Sequence, residues 1–130
     1  MAESKRTYIQ KTKDEIEALL HTSRDLVTKR NSEIDAISKK ALALADSINS
    51  NNYRGLSIIE SALFECLVNN NYAKSIKLCD EGFALMKGEF KKRYAPYYNL
   101  NLGRNYHFMG DNVLTQKHYL ETIKLLEQRE

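Results

Sequence analysis

The sequence predicts an all-α protein, an α-α superhelix of about three helical hairpins that together contain six helices. The first observation is the scarcity of helix breakers, because one Pro and five Gly cannot punctuate the many short strands of an all-β fold. The second is that apolar residues recur at helical spacing in six stretches. The third is a helix-end pattern that occurs three times at near-equal spacing. Together they predict one helical repeat domain over residues 1–130.

The first hairpin is predicted over about residues 5–50. Its first helix runs to about Lys29, although Thr12 is an alternative N-cap with Glu15 as the partner of a capping box. Ser32 is the predicted N-cap of the second helix. The stripe of the first helix is Ile9, Ile16, Leu19, Leu20, Ser23, Leu26 and Val27, and that of the second is Ile34, Ile37, Ala41, Leu44, Ala45 and Ile48.

The second hairpin is predicted over about residues 53–87. Its first helix, about 53–68, is apolar on several sides and is therefore expected to be packed on several sides. The asparagines at 69–71 form a polar turn, where Asn suits left-handed backbone. Gly82 lies inside the next helix at a cost of about 1 kcal/mol relative to Ala, which indicates a close helix–helix contact there. Gly88 is the predicted C-cap.

The third hairpin is predicted over about residues 92–130. Pro96 is placed in the first turn of the fifth helix, where a missing backbone N–H costs nothing, and this helix continues to about Met109. Gly110 turns the chain, and the sixth helix runs from about Val113 to the end.

The helix-end pattern begins at Ser38, Cys79 and Tyr119, so successive copies are 41 and 40 residues apart. Two near-equal spacings of the same pattern indicate internal repetition. The period exceeds the roughly 34 residues of a standard tetratricopeptide repeat. The surplus residues lie between the hairpins and not within them.

The clearest motif is in the third hairpin, where Leu102-Gly103 precedes Tyr106, Gly110 turns the corner and Tyr119 lies on the next helix. This L-G-x-x-Y spacing resembles a tetratricopeptide repeat. In such a repeat the small residue lets two antiparallel helices approach closely, and the two tyrosines fill the space between them.

A second resemblance is to a subset of bacterial tetratricopeptide proteins. The A-L-A-L-A segment at 41–45, a short polar link and then Arg54-Gly55 are similar to the repeat regions of bacterial signalling proteins. In that group the repeats accompany diguanylate cyclases, histidine kinases and helix-turn-helix regulators. The resemblance implies a non-catalytic module for protein or peptide interaction and sensing, as the N-terminal part of a longer protein. It also implies a concave groove lined by the first helix of each hairpin.

Composition argues against several other classes of protein. The net charge of +3 is mild and mixed along the chain, so no nucleic-acid partner is expected. No apolar run approaches the about 18 residues that span a membrane, and no signal peptide follows Met1, so a cytoplasmic protein is expected. Cys66 and Cys79 are interpreted as buried, reduced thiols, with a disulfide left open only if their helices face each other.

No catalytic constellation is evident in the sequence. His21, His107 and His118 have no carboxylate or thiol beside them in a defined role. The glycines belong to repeat positions and form no phosphate-binding loop. We therefore expect no enzyme activity, no metal and no cofactor.

Two binding surfaces are predicted. By the resemblance, the groove is lined by Tyr97, Asn101, Arg104, Asn105, Glu60, Phe64 and Arg24. The Arg fork and the Asn amides would hold a peptide backbone or a carboxylate, and the alternative is that they are solvated polar residues. The second surface is a self-association face formed by Leu120, Ile123 and Leu126. It supports the alternative function, a homodimer that positions an output domain such as a diguanylate cyclase.

Overall fold

The computed structural model describes the backbone of residues 2–27 and 33–129, and the side chains of residues 4–22 and 33–129. This part of the chain forms six helices and no strand. The helices are α1 (Ala2–Val27), α2 (Glu33–Ser47), α3 (Asn51–Leu67), α4 (Tyr72–Leu85), α5 (Gly88–Met109) and α6 (Asn112–Glu127). The predicted N-cap at Ser32 and the predicted helix end at Lys29 lie outside the described residues.

The helices stack in chain order into an all-α superhelix of hairpins, which confirms the predicted fold class. Each helix packs on its neighbour in the chain. The odd-numbered helices also touch one another, α1 with α3 and α3 with α5, whereas the even-numbered helices do not within the described residues. The odd-numbered helices therefore form the inner row of the array, and each hairpin is covered by the helix that follows it.

Side-chain caps and left-handed residues fix the turns. Ser50, Asn71 and Asp111 precede α3, α4 and α6, and each side chain accepts a hydrogen bond from a backbone N–H in the first turn. Asn70 has φ of 54°, as predicted for the asparagine turn. Gly110 has φ of 81° at the C-cap of α5, a conformation that favours glycine, so its predicted role in the turn is confirmed.

The fifth helix begins earlier than predicted. α5 starts at Gly88, so Pro96 lies inside the helix and not in its first turn. Gly88 is thus the first residue of α5, and Met86 is the C-cap of α4. Because Pro96 has no N–H, the carbonyl of Lys92 loses its helical partner. The guanidinium of Arg129 replaces it, donating to the Lys92 carbonyl at 2.8 Å and also to the Arg93 carbonyl.

Gly55 and Gly82 mark a close crossing of α3 and α4. A methyl group on Gly82 would lie 2.5 Å from the carbonyl oxygen of Gly55, and one on Gly55 would overlap the carbonyl oxygen of Gly82. The close contact predicted at Gly82 is confirmed, and its partner is Gly55 on α3. The crossing brings the backbones of α3 and α4 together in the middle of the array.

The buried hydrophobic residues form three clusters among the described residues. The main cluster contains Ile16, Leu20, Ala41, Ala45, Tyr53, Leu56, Ile59 and Met86. Cys66 and Cys79 are buried, reduced thiols, and burial raises the pKa of Cys79 to about 12. None of the helices in the described residues has the length and apolar character that crossing a membrane requires.

Candidate binding surfaces

Most of the predicted groove residues turn inward. Asn101, Asn105 and Glu60 are buried between helices and are not presented on an open surface. The Asn105 side-chain amide donates to the Ser75 hydroxyl at 2.9 Å and to the Asn101 carbonyl at 3.0 Å. Polar residues are usually exposed, and here they are buried because the array itself satisfies their donors. The Asn105 amide thus joins α5 to α4.

The remaining groove candidates form a chain of hydrogen bonds. The Asn101 amide donates to the Tyr97 carbonyl at 2.9 Å, and Arg104 donates to the Asn101 side-chain oxygen at 3.0 Å. The Tyr97 hydroxyl donates to Glu60 at 2.5 Å. Arg104, Tyr97 and Phe64 are half-buried. The side chain of Arg24, on α1, lies outside the described residues.

A tyrosine–carboxylate contact repeats between successive odd-numbered helices. The Tyr53 hydroxyl of α3 donates to Glu17 of α1 at 2.9 Å, as Tyr97 of α5 donates to Glu60 of α3. Glu17 and Glu60 are 43 residues apart, and the two tyrosines are 44 residues apart. By the 40-residue step that relates Cys79 to Tyr119, Glu60 corresponds to Leu100, so α5 carries no carboxylate at this position.

A pocket opens on the inner row of helices. It encloses about 380 Å³ between α1, α3 and α5. Its lining side chains include Glu17, Leu20, His21, Leu56, Arg93 and Tyr94. Asn101 and Asn105 are not among the residues that line this pocket.

The predicted self-association face is exposed. Leu120, Ile123 and Leu126 on α6 are 63%, 52% and 47% exposed. By the repeat register, Leu126 corresponds to Ala45 of α2 and Met86 of α4, which are 0% and 1% exposed. The two earlier residues lie in the core, beside α3 residues and aromatic residues of α5. No described helix follows α6 to cover Leu126 in the same way.

A groove between α5 and α6 continues from this face. It encloses about 380 Å³, with a smaller apolar extension toward Tyr119 and Ile123. We call it the open groove. Its lining residues are Arg93, Tyr94, Pro96, Tyr97, Leu100, Tyr119, Thr122, Ile123, Leu126 and Arg129. Arg93, Leu100 and Arg129 line this groove but are not among the site residues predicted from the sequence. The matching positions of Tyr53 and Tyr97, by contrast, can be seen in the sequence.

The signature residues of the third hairpin hold α5 against α6. A methyl group on Gly103 would overlap the ring of Tyr119, so this small residue admits the tyrosine. Leu102 is buried, and Tyr106 packs against it. The Tyr106 ring also stacks on His118, with ring centroids 5.5 Å apart. The structure therefore places these residues in the helix–helix contact that their spacing predicts.

His118 is a packing residue of the same contact. Its Nδ1 lies 3.0 Å from the side-chain oxygen of Asn99 on α5, a pairing in which the ring nitrogen donates. Within the described residues, no group of three or more His, Cys, Asp or Glu side chains is placed to hold a metal ion. The geometry around His118 thus joins two helices.

We expect the third hairpin to become less stable at acidic pH, because His118 becomes protonated. Burial and the charge of Lys117 lower the pKa of His118, against the opposing effects of Asp80 and Glu121. The folded state therefore binds this proton less readily than the unfolded state, whose pKa is about 6.5. The stabilisation is fully present above about pH 6.5 and is lost as the pH falls toward the lower folded pKa.

Thermal denaturation of the wild type and of His118→Gln at about pH 7.5 and 5.5 measures this contribution. We expect a larger drop in Tm for the wild type than for the variant. Equal drops in the two proteins would mean that protonation of His118 does not oppose folding.

Comparisons of the chain with protein-family models, with curated proteins and with solved structures found no match.

Proposed function

We propose that the chain is a non-catalytic scaffold that binds a protein or peptide, and that it serves as the interaction and sensory module of a bacterial signalling or regulatory protein. The observation that carries the proposal is the exposure of Ile123 and Leu126, at positions whose equivalents in the two earlier hairpins are more deeply buried. Exposed apolar faces on helical repeats mark either a contact with another polypeptide or an uncapped end. The signalling context comes from the resemblance at residues 41–55.

The alternative function is a homodimerisation platform that positions an output domain such as a diguanylate cyclase. The same face favours it, because a two-fold pairing needs one self-complementary patch on each copy. Leu120, Ile123 and Leu126 lie along one side of α6 and are available for such a pairing.

Light scattering over a concentration series, together with partner capture, tests the proposal. Leu126→Glu is expected to leave the Tm unchanged, since this side chain is half solvated, but to abolish association with a partner or with a second copy. Val113→Glu is the matched control, because Val113 is also an exposed apolar residue on α6 but lies outside the open groove.

A dimer that Leu126→Glu dissociates and Val113→Glu does not would support the platform. A monomer that retains a partner through Leu126 would support the heterotypic scaffold. If the chain is a monomer and both variants capture the same proteins as the wild type does, the proposal that the α6 face binds a partner is refuted.

A further inference from the structure

We infer that the pocket between α1, α3 and α5 binds a small zwitterion with an apolar body, either an apolar amino acid or a dipeptide, and holds its ammonium group at Glu17 and its carboxylate at Arg93. We call this cavity the inner pocket. The inference rests on the proposed function and gives its sensory role a class of ligand. The described residues that line the inner pocket belong to α1, α3 and α5, so none of these walls depends on a residue beyond α6.

Part of the inner pocket has an apolar surface. Leu20 of α1 and Leu56 of α3 line it and belong to the hydrophobic core, with exposed fractions of 0% and 1%. The half-buried Tyr94 adds an aromatic ring from α5. The volume of about 380 Å³ lies near the small end of the range for ligand pockets. A ligand with a short apolar body therefore fits this cavity better than a large one does.

A carboxylate lies on the α1 side of the inner pocket. Glu17 is half-buried and accepts a hydrogen bond from the Tyr53 hydroxyl at 2.9 Å through Oε1. The two oxygens of a carboxylate offer about four acceptor positions, so Glu17 has capacity for further donors. Lys13, one turn earlier on α1, lies 5.9 Å from the centroid of the Tyr53 ring, and among the described residues no ion pair joins it to Glu17. Glu17 is thus placed to accept from an ammonium group in the pocket.

A guanidinium group lies on the α5 side. The guanidinium carbon of Arg93 is 5.4 Å from the centroid of the Tyr94 ring, a cation–π contact with a residue that also lines the pocket. In the part of the chain that the structure describes, Arg93 forms no ion pair. The fork of N–H donors on a guanidinium matches the two oxygens of a carboxylate. Arg93 is therefore suited to the anionic end of a ligand.

The two opposite charges line one cavity and do not neutralise each other. Burial and the hydrogen bond to Glu17 raise the pKa of Tyr53, and the charge of Arg93 opposes them, so both groups act on the same hydroxyl. Within the described residues, Glu17 and Arg93 nevertheless form no ion pair, and α1 does not pack on α5. The other titratable side chains in the described lining are His21 and Tyr94. A zwitterion satisfies both walls at once, whereas an ion of one sign satisfies only one.

Two zwitterions test the inference on the full chain, L-leucine and the dipeptide L-leucyl-L-leucine. Each is compared with its N-acetyl derivative, which lacks the ammonium group, and with its C-terminal amide, which lacks the carboxylate. Dissociation constants come from NMR chemical-shift titrations of the isotope-labelled protein. We expect the zwitterion that binds better to have about tenfold higher affinity than either of its derivatives, as one charge-assisted hydrogen bond provides.

Two variants assign each charge to its wall. Glu17→Gln is expected to weaken binding of the zwitterion about tenfold and to leave the affinity for the N-acetyl derivative unchanged. Its amide oxygen still accepts from Tyr53, and its Tm is recorded. Arg93→Gln is expected to weaken binding by a similar factor and to leave the affinity for the amide derivative unchanged. Glu15→Gln and Lys92→Gln are the matched controls and should change nothing, because both side chains are exposed and neither is among the lining residues.

Three results would overturn the inference. The first is equal affinity for the zwitterion and its two derivatives, and the second is an unchanged dissociation constant in folded Glu17→Gln or Arg93→Gln. The third is the absence of binding by either zwitterion up to about 10 mM. If binding follows the prediction, tighter binding of the dipeptide identifies a short peptide as the source of the zwitterion, and tighter binding of leucine identifies a free amino acid.

Failure of this inference is distinguishable from failure of the proposed function. Leu126 is not among the residues that line the inner pocket, so Leu126→Glu is expected to leave zwitterion binding unchanged. If neither zwitterion binds but Leu126→Glu abolishes association, the ligand class is wrong and the scaffold function stands. If a zwitterion binds as predicted and Leu126→Glu has no effect on association, the inner pocket stands and the partner contact at α6 is wrong.

Discussion

Gly55→Ala is expected to destabilise the domain by about 2–4 kcal/mol, as severe overpacking in a core does. In an exposed helix the same substitution would be favourable by about 1 kcal/mol, because alanine has the higher helix propensity. The sign reverses here because the new methyl group would overlap the backbone carbonyl oxygen of Gly82, which moves only if the helices move apart. The midpoint and slope of urea denaturation measure the loss.

Two control variants isolate the cause. The new methyl group of Gly103→Ala would overlap the ring of Tyr119, which can rotate or shift, and not backbone atoms. We therefore expect Gly103→Ala to lower the free energy of unfolding less than Gly55→Ala does. Ala43→Gly, at an exposed helical position, should cost about 1 kcal/mol through propensity alone. A Gly55→Ala protein as stable as the wild type would show that α3 and α4 separate at little cost, contrary to the geometry.

The sequence predicts one half of this contact. A glycine inside a helix is costly, so Gly82 by itself indicates that another helix approaches closely at this point. Gly55 has no such signal, because it lies near the predicted start of a helix, where glycine is unremarkable. Which residue faces Gly82 depends on the crossing of α3 and α4, and that crossing is a property of the packed array.

The start of α5 could not be predicted from local sequence for a similar reason. Proline inside a helix is normally excluded, so the first turn is the expected place for Pro96. The structure admits it well inside α5, where Arg129, just beyond α6, donates to the Lys92 carbonyl that the proline leaves without a helical partner. A donor 37 residues from Lys92 leaves no signal in the sequence near Pro96.

The two predicted surfaces differ in how far the sequence defines them. Leu120, Ile123 and Leu126 could be found from helical periodicity, because nothing after α6 in the described residues competes for them. The groove set could not, because Asn101, Asn105 and Glu60 are polar and are normally assigned to a solvated face. Glu60 and Asn105 form hydrogen bonds to residues on other helices, a pairing that requires the register of the whole stack.

Tyr97→Phe is the second substitution with a large expected effect, a loss of about 1–3 kcal/mol in the free energy of unfolding. Tyr97 donates to Glu60 at 2.5 Å, and Glu60 is fully buried. Removing the hydroxyl leaves the carboxylate with one donor fewer where water does not replace it. Tyr53→Phe is the matched control, because Tyr53 donates to Glu17, which is half-buried and can be solvated instead.

We therefore expect Tyr97→Phe to lower the urea midpoint more than Tyr53→Phe does. A double-mutant cycle with Glu60→Gln separates this contact from the packing of the ring, since the effect of Tyr97→Phe should shrink when the carboxyl acceptor is replaced by an amide. Equal losses in the two Phe variants would contradict the argument, because they would mean that burial of the acceptor does not set the cost. A larger loss at Tyr97 would show that the buried Glu60 requires the hydrogen bond from the Tyr97 hydroxyl. This pair would then stabilise the contact between α3 and α5.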